Sequence, residues 1–488
     1  MSTSTERTST ERNQHRTPSS RRRFLQQVAI SGVALGPGSA FLASCATGGG
    51  DSDDEAAQEG EVSEDNPLGI PTDQPLEIFI FNGGFGDAYA TELHEPIFSD
   101  KWPDATIEHN AVVDIAGELQ ARFVAGDPPD FVNDSGEGQI PLGQLVTDKQ
   151  LYDLSDLFDA PSWDDPDVKV RDTLIPGTIE SGTFGDAPYV LNYAFTIYGN
   201  WYNKTLFDQN GWTVPATWDD MLALCAEIKA TGMAPWVYTG VHARYMNWPL
   251  LTMAATLGGP EVLVAIDNLE PGAWGQDAVK EAAAALAGLR TSGYYLEGCE
   301  GMDHRQAQVA WAQGKAAFVS CGTWLENEEA DAIPDTGFEI AMMPCPVLSS
   351  DAKLPAETVR ATAGEPYIVP AEAKNPRGAL EYMRVMLSQE GARGFTEQVS
   401  SLAAVKGSAD GVQLPPGLTS AQSALSTAGD NVINWFYSTW YREMENPGID
   451  EATASLLAGR SSVDDWVATC EAEATKVRDD DAITKYTR

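Results

Sequence analysis

The chain has 488 residues, of which 72 are acidic and 31 are basic, and its formal net charge at pH 7 is −41. A surface this negative repels nucleic acid and anionic lipid, which excludes nucleic-acid binding as a function. The length and the hydrophobic content of 43% indicate a globular protein with two or more domains and a large core.

The N-terminus has the layout of an export signal. Residues 20–26 read SRRRFLQ, and Arg21 and Arg22 precede an apolar stretch that glycines and a proline interrupt. This layout is typical of a twin-arginine signal, and the interruptions make it a poor membrane-spanning helix. The stretch ends in LASC at Cys45, which resembles a bacterial lipobox, whose cysteine receives diacylglycerol. We therefore predict a signal over residues 1–45, export in the folded state, and a lipid anchor on Cys45 at the extracellular face of the cytoplasmic membrane.

The segment that follows is rich in glycine and acidic residues and contains no aromatic side chain. Such a composition cannot bury enough apolar surface to fold. We therefore predict a disordered acidic stalk over residues 46–75.

Five cysteines remain beyond Cys45. They form no CxxC pair, and the chain has only five histidines, so no zinc site is predicted. Neither another metal nor a cofactor is expected. Cys299–Cys321 and Cys225–Cys470 are both possible disulfides in an oxidising compartment, and their spacing leaves the pairing open.

The folded body begins with alternating strands and helices. LEIFIFNG is a predicted strand, DAYATELHEPIFSDKW a helix, ATIEHNAVV a strand, IAGELQARFVAG a helix and DFVNDSG a short buried strand. This order predicts an α/β fold with a mostly parallel sheet that is flanked by helices. Ligands of such sheets lie beyond the carboxyl ends of the strands, which places residues 83–87 and 133–135 at one rim.

The first strand leads into FNGGFGDAYA, residues 81–90, where a glycine loop precedes a helix as in phosphate-binding folds. The spacing is not GxGxxG and no GK[ST] follows, so the motif does not indicate a nucleotide site. Free N–H groups at such a loop can also bind neutral oxygen atoms. Phe85 would then form an apolar wall, and Asp87 either accepts a hydrogen bond from a ligand or caps the helix.

The middle of the chain contains an unusually long extended run, APYVLNYAFTIYGNWYNKTLF, over residues 187–207. It is too long for one ordinary strand and is predicted to leave one sheet and enter another. Helices are predicted in TWDDMLALCAEIKATG and DAVKEAAAALAGLRTSGY, and strands in APWVYTG and FEIAMMPCPV. HRQAQVAWAQGKAAFVSCGTWLENE reads as helix, turn, strand and polar loop. ALEYMRVMLSQEGARGFTEQV is predicted as one helix, and VDDWVATCEAEATKVR as a helix in the tail.

Blocks along nearly the whole mature chain carry a family resemblance, among them FNGGFGDAYA, AWAQGKAAF and GEPYIVPAEAKNP; the most specific are IDNLEPGAW (266–274) and GTWLENE (322–328). Together they resemble the family 1 solute-binding proteins of sugar ABC importers, and most closely the actinobacterial lipoproteins that bind N-acetylglucosamine and N,N′-diacetylchitobiose. The resemblance implies a two-lobed Venus-flytrap fold with crossing hinge strands, a sugar in the cleft, no enzymatic activity, and delivery of the sugar to the transmembrane subunits of a permease.

With this fold, lobe 1 would comprise residues 76–190 and 346–400, and lobe 2 residues 191–345 and 401–488. A monomer is expected.

A pyranose has an apolar C–H face and a rim of hydroxyl groups, so its site needs aromatic rings beside polar side chains. Trp324 is the first candidate, because the resemblance places a stacking aromatic ring there; otherwise it belongs to the core. The predicted sugar-binding residues are Phe85, Asp87, Asn133, Ser135, Asn192, Tyr193, Tyr245, Trp248, Trp324, Glu326, Glu365, Trp435 and Tyr437.

Each candidate also has a structural interpretation. Glu326 could stabilise a helix N-terminus, and Trp435 and Tyr437 belong to an aromatic stripe that would suit a core. Asn192 and Tyr193 could serve only to stabilise the crossing of the chain between lobes.

Other functions stay open at this point. A different sugar or a peptide could be the ligand, although a peptide receptor needs fixed charges for amino and carboxylate groups. A glycoside hydrolase would need a pair of catalytic carboxylates, which abundant surface acids do not by themselves indicate. A purely structural surface lipoprotein is a further alternative. The chain contains no GxSxG, HExxH or GxxxxGK[ST] motif.

Overall fold

A computed structural model of the chain describes residues 60–136, 138–334 and 336–488. The predicted export signal with Arg21 and Arg22, the lipidation site Cys45 and the stalk as far as residue 59 lie outside the described residues. Within the described part of the chain, no helix combines the length and the apolar character that a membrane crossing needs.

The predicted stalk ends before residue 75. Leu68 and Ile70 are buried in the same core cluster as the first strand. The side chain of Asn66 holds this segment in place, because its Nδ2 donates to the carbonyl of Ile70 at 3.0 Å and its Oδ1 accepts from the Ile70 N–H at 2.9 Å. The predicted boundary at residue 75 was based on the acidic composition of the segment. The two apolar side chains of Leu68 and Ile70 are enough to attach the end of that segment to the core.

The strands and helices largely follow the sequence-based predictions. The strands are β1 (Leu76–Phe81), β2 (Ile107–Val112), β3 (Phe131–Asn133), β4 (Thr183–Phe184), β5 (Ala187–Pro188), β6 (Leu191–Asn203), β7 (Ala234–Val237), β8 (Ala316–Gly322), β9 (Ile340–Met343), β10 (Val359–Ile368), β11 (Leu402–Ala403) and β12 (Val432–Ile433). The helices are α1 (Glu95–Lys101), α2 (Ile115–Ala125), α3 (Leu142–Thr147), α4 (Ser155–Asp159), α5 (Val170–Thr173), α6 (Lys204–Asn210), α7 (Trp218–Ala230), α8 (Asn247–Gly258), α9 (Glu261–Asp267), α10 (Asp277–Thr291), α11 (His304–Ala312), α12 (Leu325–Glu328), α13 (Pro376–Met386), α14 (Gln389–Val399), α15 (Pro416–Ala428), α16 (Tyr437–Trp440), α17 (Asp450–Leu457) and α18 (Val463–Asp479). A π-helical turn, Ala90–His94, precedes α1.

The segment predicted as one helix over residues 379–399 forms two, α13 and α14. Ser388 interrupts it with an extended backbone (φ −68°, ψ 159°), and its side chain accepts a hydrogen bond from the N–H of Gly391. A serine in this position satisfies a free N–H group of the new helix, which favours a restart over continuation.

The main sheet has the strand order β2-β1-β3-β10-β6-β8-β7. β1 is parallel to β2 and β3, and β7 is parallel to β8, so each end of the sheet is parallel as predicted. The two central strands, β6 and β10, are antiparallel to each other. The fold is therefore an α/β structure with two lobes, one at each end of the sheet, joined by these central strands.

β6 carries the chain from one lobe to the other. Its first part pairs with β10, from Leu191 opposite Tyr367 to Tyr198 opposite Arg360. Its second part pairs with β8 and β9, from Tyr198 opposite Gly322 onwards. The long run does not change sheets, because the pairing continues along one path; it connects the two parallel ends instead.

The core of lobe 1 includes residues beyond the predicted boundary at residue 400. Ala403 and Val405 are buried in the cluster that contains the apolar side chains of β1. β11 pairs with β6, with Leu402 opposite Phe195 and Ala403 opposite Ala194. We therefore propose that lobe 1 continues to about residue 405.

The five cysteines Cys225, Cys299, Cys321, Cys345 and Cys470 are buried, and none of them forms a disulfide in the described structure. Neither of the two possible pairs is therefore present. Burial raises the pKa of the Cys225 thiol to about 12, which keeps it protonated at neutral pH.

Candidate functional site

A cavity of about 860 Å³ lies between the carboxyl ends of β1 and β3 and the segments around α11 and α12. Lobe 1 contributes the glycine loop 82–85 and residues of the loop after β3. The opposite lobe contributes Tyr245, His304 and Trp324. The central strands form the floor of the cavity. This position, beyond the carboxyl ends of parallel strands, is the one that the strand order predicts.

A second cavity of about 310 Å³ adjoins the first and shares Tyr198, Tyr245 and Trp324 with it. Here we call the two cavities together the cleft. The smaller cavity is further lined by aromatic and charged side chains, namely Trp248, Trp435, Phe436, Arg244, Arg360, Arg442 and Glu445.

Gly83 in the glycine loop and Gly136 in the loop after β3 both lie against the ring of Phe81. A Cβ atom at Gly83 would lie 2.0 Å from the Phe81 ring, and one at Gly136 would lie 2.4 Å from it. Both glycines are therefore needed for close packing, and Gly136 also has a positive φ of 83°. Phe81, Gly83 and Gly136 all line the larger cavity. The loop shapes an apolar wall of the cleft.

Four aromatic rings form a connected cluster on the other side. The centroid of Trp248 is 4.2 Å from that of Tyr245, 4.8 Å from that of Tyr198 and 5.7 Å from that of Trp324. The Trp324 ring lies against Gly322, where a Cβ atom would approach within 2.0 Å. The rings hold one another in fixed orientations, which makes them a rigid surface for an apolar face.

Glu365 is an acidic residue in the wall of the larger cavity, which Asp114 and Glu328 also line. It lies on β10 with a φ of 57°, a left-handed conformation that a side-chain-bearing residue rarely adopts. Burial raises the pKa of its carboxyl to about 7, and hydrogen bonds with the side chains of Asn133 and Ser135 oppose that rise. The distorted backbone and these two partners fix the carboxyl at the cavity wall.

A direct hydrogen bond between described residues spans the cleft. Asn327 in α12 donates from Nδ2 to the backbone carbonyl oxygen of Gly84 at 2.8 Å. The donor belongs to lobe 2 and the acceptor to the glycine loop of lobe 1. The bond therefore ties the two rims together.

The structure brings eight of the predicted residues to the cleft. They are Phe85, Ser135, Asn192, Tyr245, Trp248, Trp324, Glu365 and Trp435. They come from both lobes and from both central strands. Asn192 also donates from Nδ2 to the hydroxyl of Ser181 at 2.9 Å, so it has a structural contact as well as a position at the smaller cavity.

The other five predicted residues do not line the cleft, and in lobe 1 their contacts explain why. Asp87 does not line the cleft: it directly precedes the helical residues that start at residue 88, its carbonyl accepts from the N–H groups of Ala90 and Thr91, and its Oδ2 lies 3.3 Å from Nε2 of His109. Asn133 is buried, and it accepts from the N–H of Phe81 and donates to the carbonyl of Pro366, which holds three strand ends together. Tyr193 lies in the core of lobe 1, where its hydroxyl donates to a backbone carbonyl at 2.8 Å.

In lobe 2, two predictions are corrected in the same way. Glu326 accepts from the N–H of Leu418 at 3.1 Å and so stabilises the start of α15. Tyr437 is completely buried, and its hydroxyl donates to Oε1 of Glu445 at 3.4 Å. Both residues are close in sequence to residues that line the cleft. The sequence did not show in which direction either side chain points.

Sequence reasoning did not select several cleft residues, notably Tyr198, Arg244, Arg360 and Arg442. One signal was available for Arg360, because basic residues are scarce in a chain with 31 basic and 72 acidic residues. The described residues hold no group of three or more histidine, cysteine or acidic side chains that could bind a metal ion.

A sequence profile of the family described as bacterial extracellular solute-binding protein matches residues 88–393. The chain is 35% identical over 470 residues to a Streptomyces coelicolor protein named diacetylchitobiose binding protein NgcE, covering 95% of this chain and 97% of that protein. The structure of this chain is similar to that of a chitin oligosaccharide binding protein, with a TM-score of 0.68, 17% identity, and coverage of 83% of this chain and 99% of that one. The structure of this chain is also similar to that of apo RafE from Streptococcus pneumoniae, with a TM-score of 0.64, 20% identity, and coverage of 84% of this chain and 99% of RafE.

Proposed function

Because the chain belongs to the family of bacterial extracellular solute-binding proteins, which are not enzymes, we propose that it captures a saccharide for an ABC importer. The proposed ligand is N,N′-diacetylchitobiose or a related oligosaccharide of N-acetylglucosamine. The similarity to a diacetylchitobiose-binding protein over nearly the full length of both chains supports this choice.

The observation that carries the proposal is the pairing of an aromatic surface with polar groups across one cleft. Trp324 and Tyr245 offer ring faces or edges to the C–H groups of a pyranose, and Phe85 offers an apolar surface from the opposite lobe. Glu365 and Ser135 supply partners for hydroxyl and amide groups.

We propose that ligand binding closes the two lobes about β6 and β10. Closure is favoured only by contacts that form better in the closed state than in the open one. The hydrogen bond from Asn327 to Gly84 is such a contact, since its donor and acceptor belong to opposite lobes. The closed protein would then deliver the sugar to the transmembrane subunits of a permease.

We further propose that the protein is exported by the twin-arginine route, through Arg21 and Arg22, and is anchored by a lipid on Cys45. If the anchor is correct, Cys45→Ser releases the protein from washed membranes into the medium. If the substituted protein stays in the membrane fraction as the unsubstituted one does, the anchor proposal is wrong.

Isothermal titration calorimetry with a ligand panel tests the proposed function. The panel contains N-acetylglucosamine, N,N′-diacetylchitobiose, cellobiose, maltose and a mixture of short peptides. We expect N,N′-diacetylchitobiose to bind most tightly, with a Kd on the order of 1 μM, or about −8 kcal/mol. Binding of the peptides, with no heat from any saccharide, would overturn the proposal.

A further inference from the structure

The smaller cavity concentrates positive charge in a protein whose net charge is −41. Among the described residues that line it, Arg244, Arg360 and Arg442 are basic and Glu445 is acidic. Arg244 is occupied, since its Nη1 lies 3.1 Å from Oδ2 of Asp450 and its N–H donates to Oδ1 of the same carboxylate. The other two arginines are not neutralised in this way.

Arg360 is held flat between two rings. Its guanidinium carbon is 3.9 Å from the ring centroid of Tyr198 and 4.0 Å from that of Trp435. Only 7% of its surface is exposed. Its Nε donates to Oδ1 of Asn434 at 3.4 Å, whereas its Nη1 has no hydrogen-bond partner among the described residues. Because both faces of the guanidinium are covered, a ligand can approach only its edge, where the N–H groups lie.

Arg442 is half-buried at the same cavity, where it lies within the electrostatic influence of the buried carboxyl of Asp134. Glu445, which lines the same cavity, is buried and accepts a hydrogen bond from Tyr437. Glu445 also lies within the electrostatic influence of Arg244, Arg360 and Arg442. Because Asp450 pairs with Arg244, Glu445 is the acidic wall residue that faces Arg360 and Arg442, and the buried carboxyl of Asp134 also lies within the electrostatic influence of Arg442.

A buried guanidinium nitrogen without a hydrogen-bond partner is costly, and a planar guanidinium edge is matched best by the two oxygens of a carboxylate. From these observations we infer that the smaller cavity is a subsite for a carboxylate group of an acidic saccharide, with Arg360 and Arg442 as its ligands. This inference rests on the proposed function, because it assigns the neutral part of the same saccharide to the larger cavity. The two cavities share Tyr198, Tyr245 and Trp324, so one ligand can occupy both.

Matched pairs of saccharides that differ by a carboxylate test the inference. The pairs are N,N′-diacetylchitobiose with its aldonic acid, cellobiose with cellobiouronic acid, and N-acetylglucosamine with N-acetylmuramic acid. The titrations are made at about 0.15 M salt, where the Debye length of about 8 Å screens the remote acidic surface. We expect the acid of at least one pair to bind at least about tenfold more tightly than its neutral partner.

The ratio of the two dissociation constants is the readout for the variants. Arg442→Gln and Arg360→Gln should reduce the preference to within about threefold, whereas Arg442→Lys should keep part of it because it keeps the charge. Arg442→Gln alters a half-buried side chain, so it remains informative if Arg360→Gln does not fold. Arg460→Gln is the matched control, because Arg460 is exposed and far along the chain in the tail after α17, and it should keep the full preference.

The inference is wrong if no acidic saccharide binds more than about threefold better than its neutral partner, or if a preference persists in both glutamine variants. In that case, binding of the neutral sugars still supports the proposed function. If no saccharide of either kind binds, the proposed function fails, and the subsite fails with it.

Discussion

Asn327 donates a hydrogen bond from Nδ2 to the backbone carbonyl oxygen of Gly84, with a distance of 2.8 Å between the two atoms. These residues are far apart in the chain and lie on opposite rims of the cleft. The acceptor is a backbone atom of the glycine loop, so a substitution of Asn327 removes the contact without changing the loop.

We predict that Asn327→Ala weakens binding of N,N′-diacetylchitobiose by about three- to tenfold, because a typical hydrogen bond contributes ~1 kcal/mol net. Small-angle scattering of the ligand-saturated variant should show a larger radius of gyration than that of the unsubstituted protein. Asn210→Ala is the control, because Asn210 is exposed at the end of α6 and bonds only within that helix. An unchanged affinity and an unchanged radius would show that this contact does not contribute to closure.

The aromatic cluster leads to a second prediction. Trp324→Ala should weaken binding by at least about tenfold, or ~1.4 kcal/mol, because it removes a ring from both cavities. Trp212→Ala provides a matched control: Trp212 packs on Phe207 at 5.5 Å between centroids and does not line the cleft. Affinity measured by calorimetry should stay unchanged in the control. Equal affinity in both variants would exclude Trp324 from the site.

Glu365 leads to a prediction about pH. Its pKa in the folded protein is raised to about 7, above the ordinary value of 4.5. The folded state therefore binds more protons than the unfolded state between these values, and the free energy of unfolding falls as pH rises through this window. Asp134, Asp267 and Glu329 also have pKa values raised by burial and act in the same direction.

The comparison with Glu365→Gln isolates the contribution of this one group. Between about pH 4.5 and 7, the free energy of unfolding should fall by a smaller amount in the variant than in the unsubstituted protein. The difference between the two falls should be up to about 3 kcal/mol. Urea denaturation at a series of pH values measures this difference. Parallel curves for the two proteins would contradict the raised pKa of Glu365.

The buried thiols lead to a fourth prediction. Because Cys225, Cys299, Cys321, Cys345 and Cys470 are buried and unpaired, a thiol reagent should not react with them in the native protein. All five should react once guanidinium chloride unfolds the chain. The melting temperature should be the same with and without a reducing agent, since no disulfide restrains the unfolded state. A fall in melting temperature on reduction would indicate a disulfide.

Local patterns were enough to predict the order of strands and helices. Apolar runs bounded by glycine, proline and polar residues marked β1, β3 and β6, and these signals depend only on neighbouring residues. The glycines of the loop after β1 and the tryptophan after β8 were also visible in the sequence. The family resemblance added the two-lobed arrangement and the position of Trp324 in the cleft.

Side-chain direction required the tertiary structure. Trp435 and Tyr437 lie two positions apart in one aromatic run, yet Trp435 covers the guanidinium of Arg360 at the cleft while Tyr437 is buried against Glu445. Glu326 and Asn327 are adjacent, yet Glu326 stabilises α15 and Asn327 reaches the opposite lobe. Composition and periodicity assign such residues to the same segment but cannot tell them apart.

The sequence by itself determined the fold class, the acidic surface and the supply of aromatic and polar side chains, because these follow from composition and from contacts between near neighbours. Only the tertiary structure decided which of them meet. Arg360 on β10 lies between Tyr198 on β6 and Trp435 near α16 because β10 pairs with β6 and with β12. Pairing between distant strands brings these three residues together, and no local pattern encodes that contact.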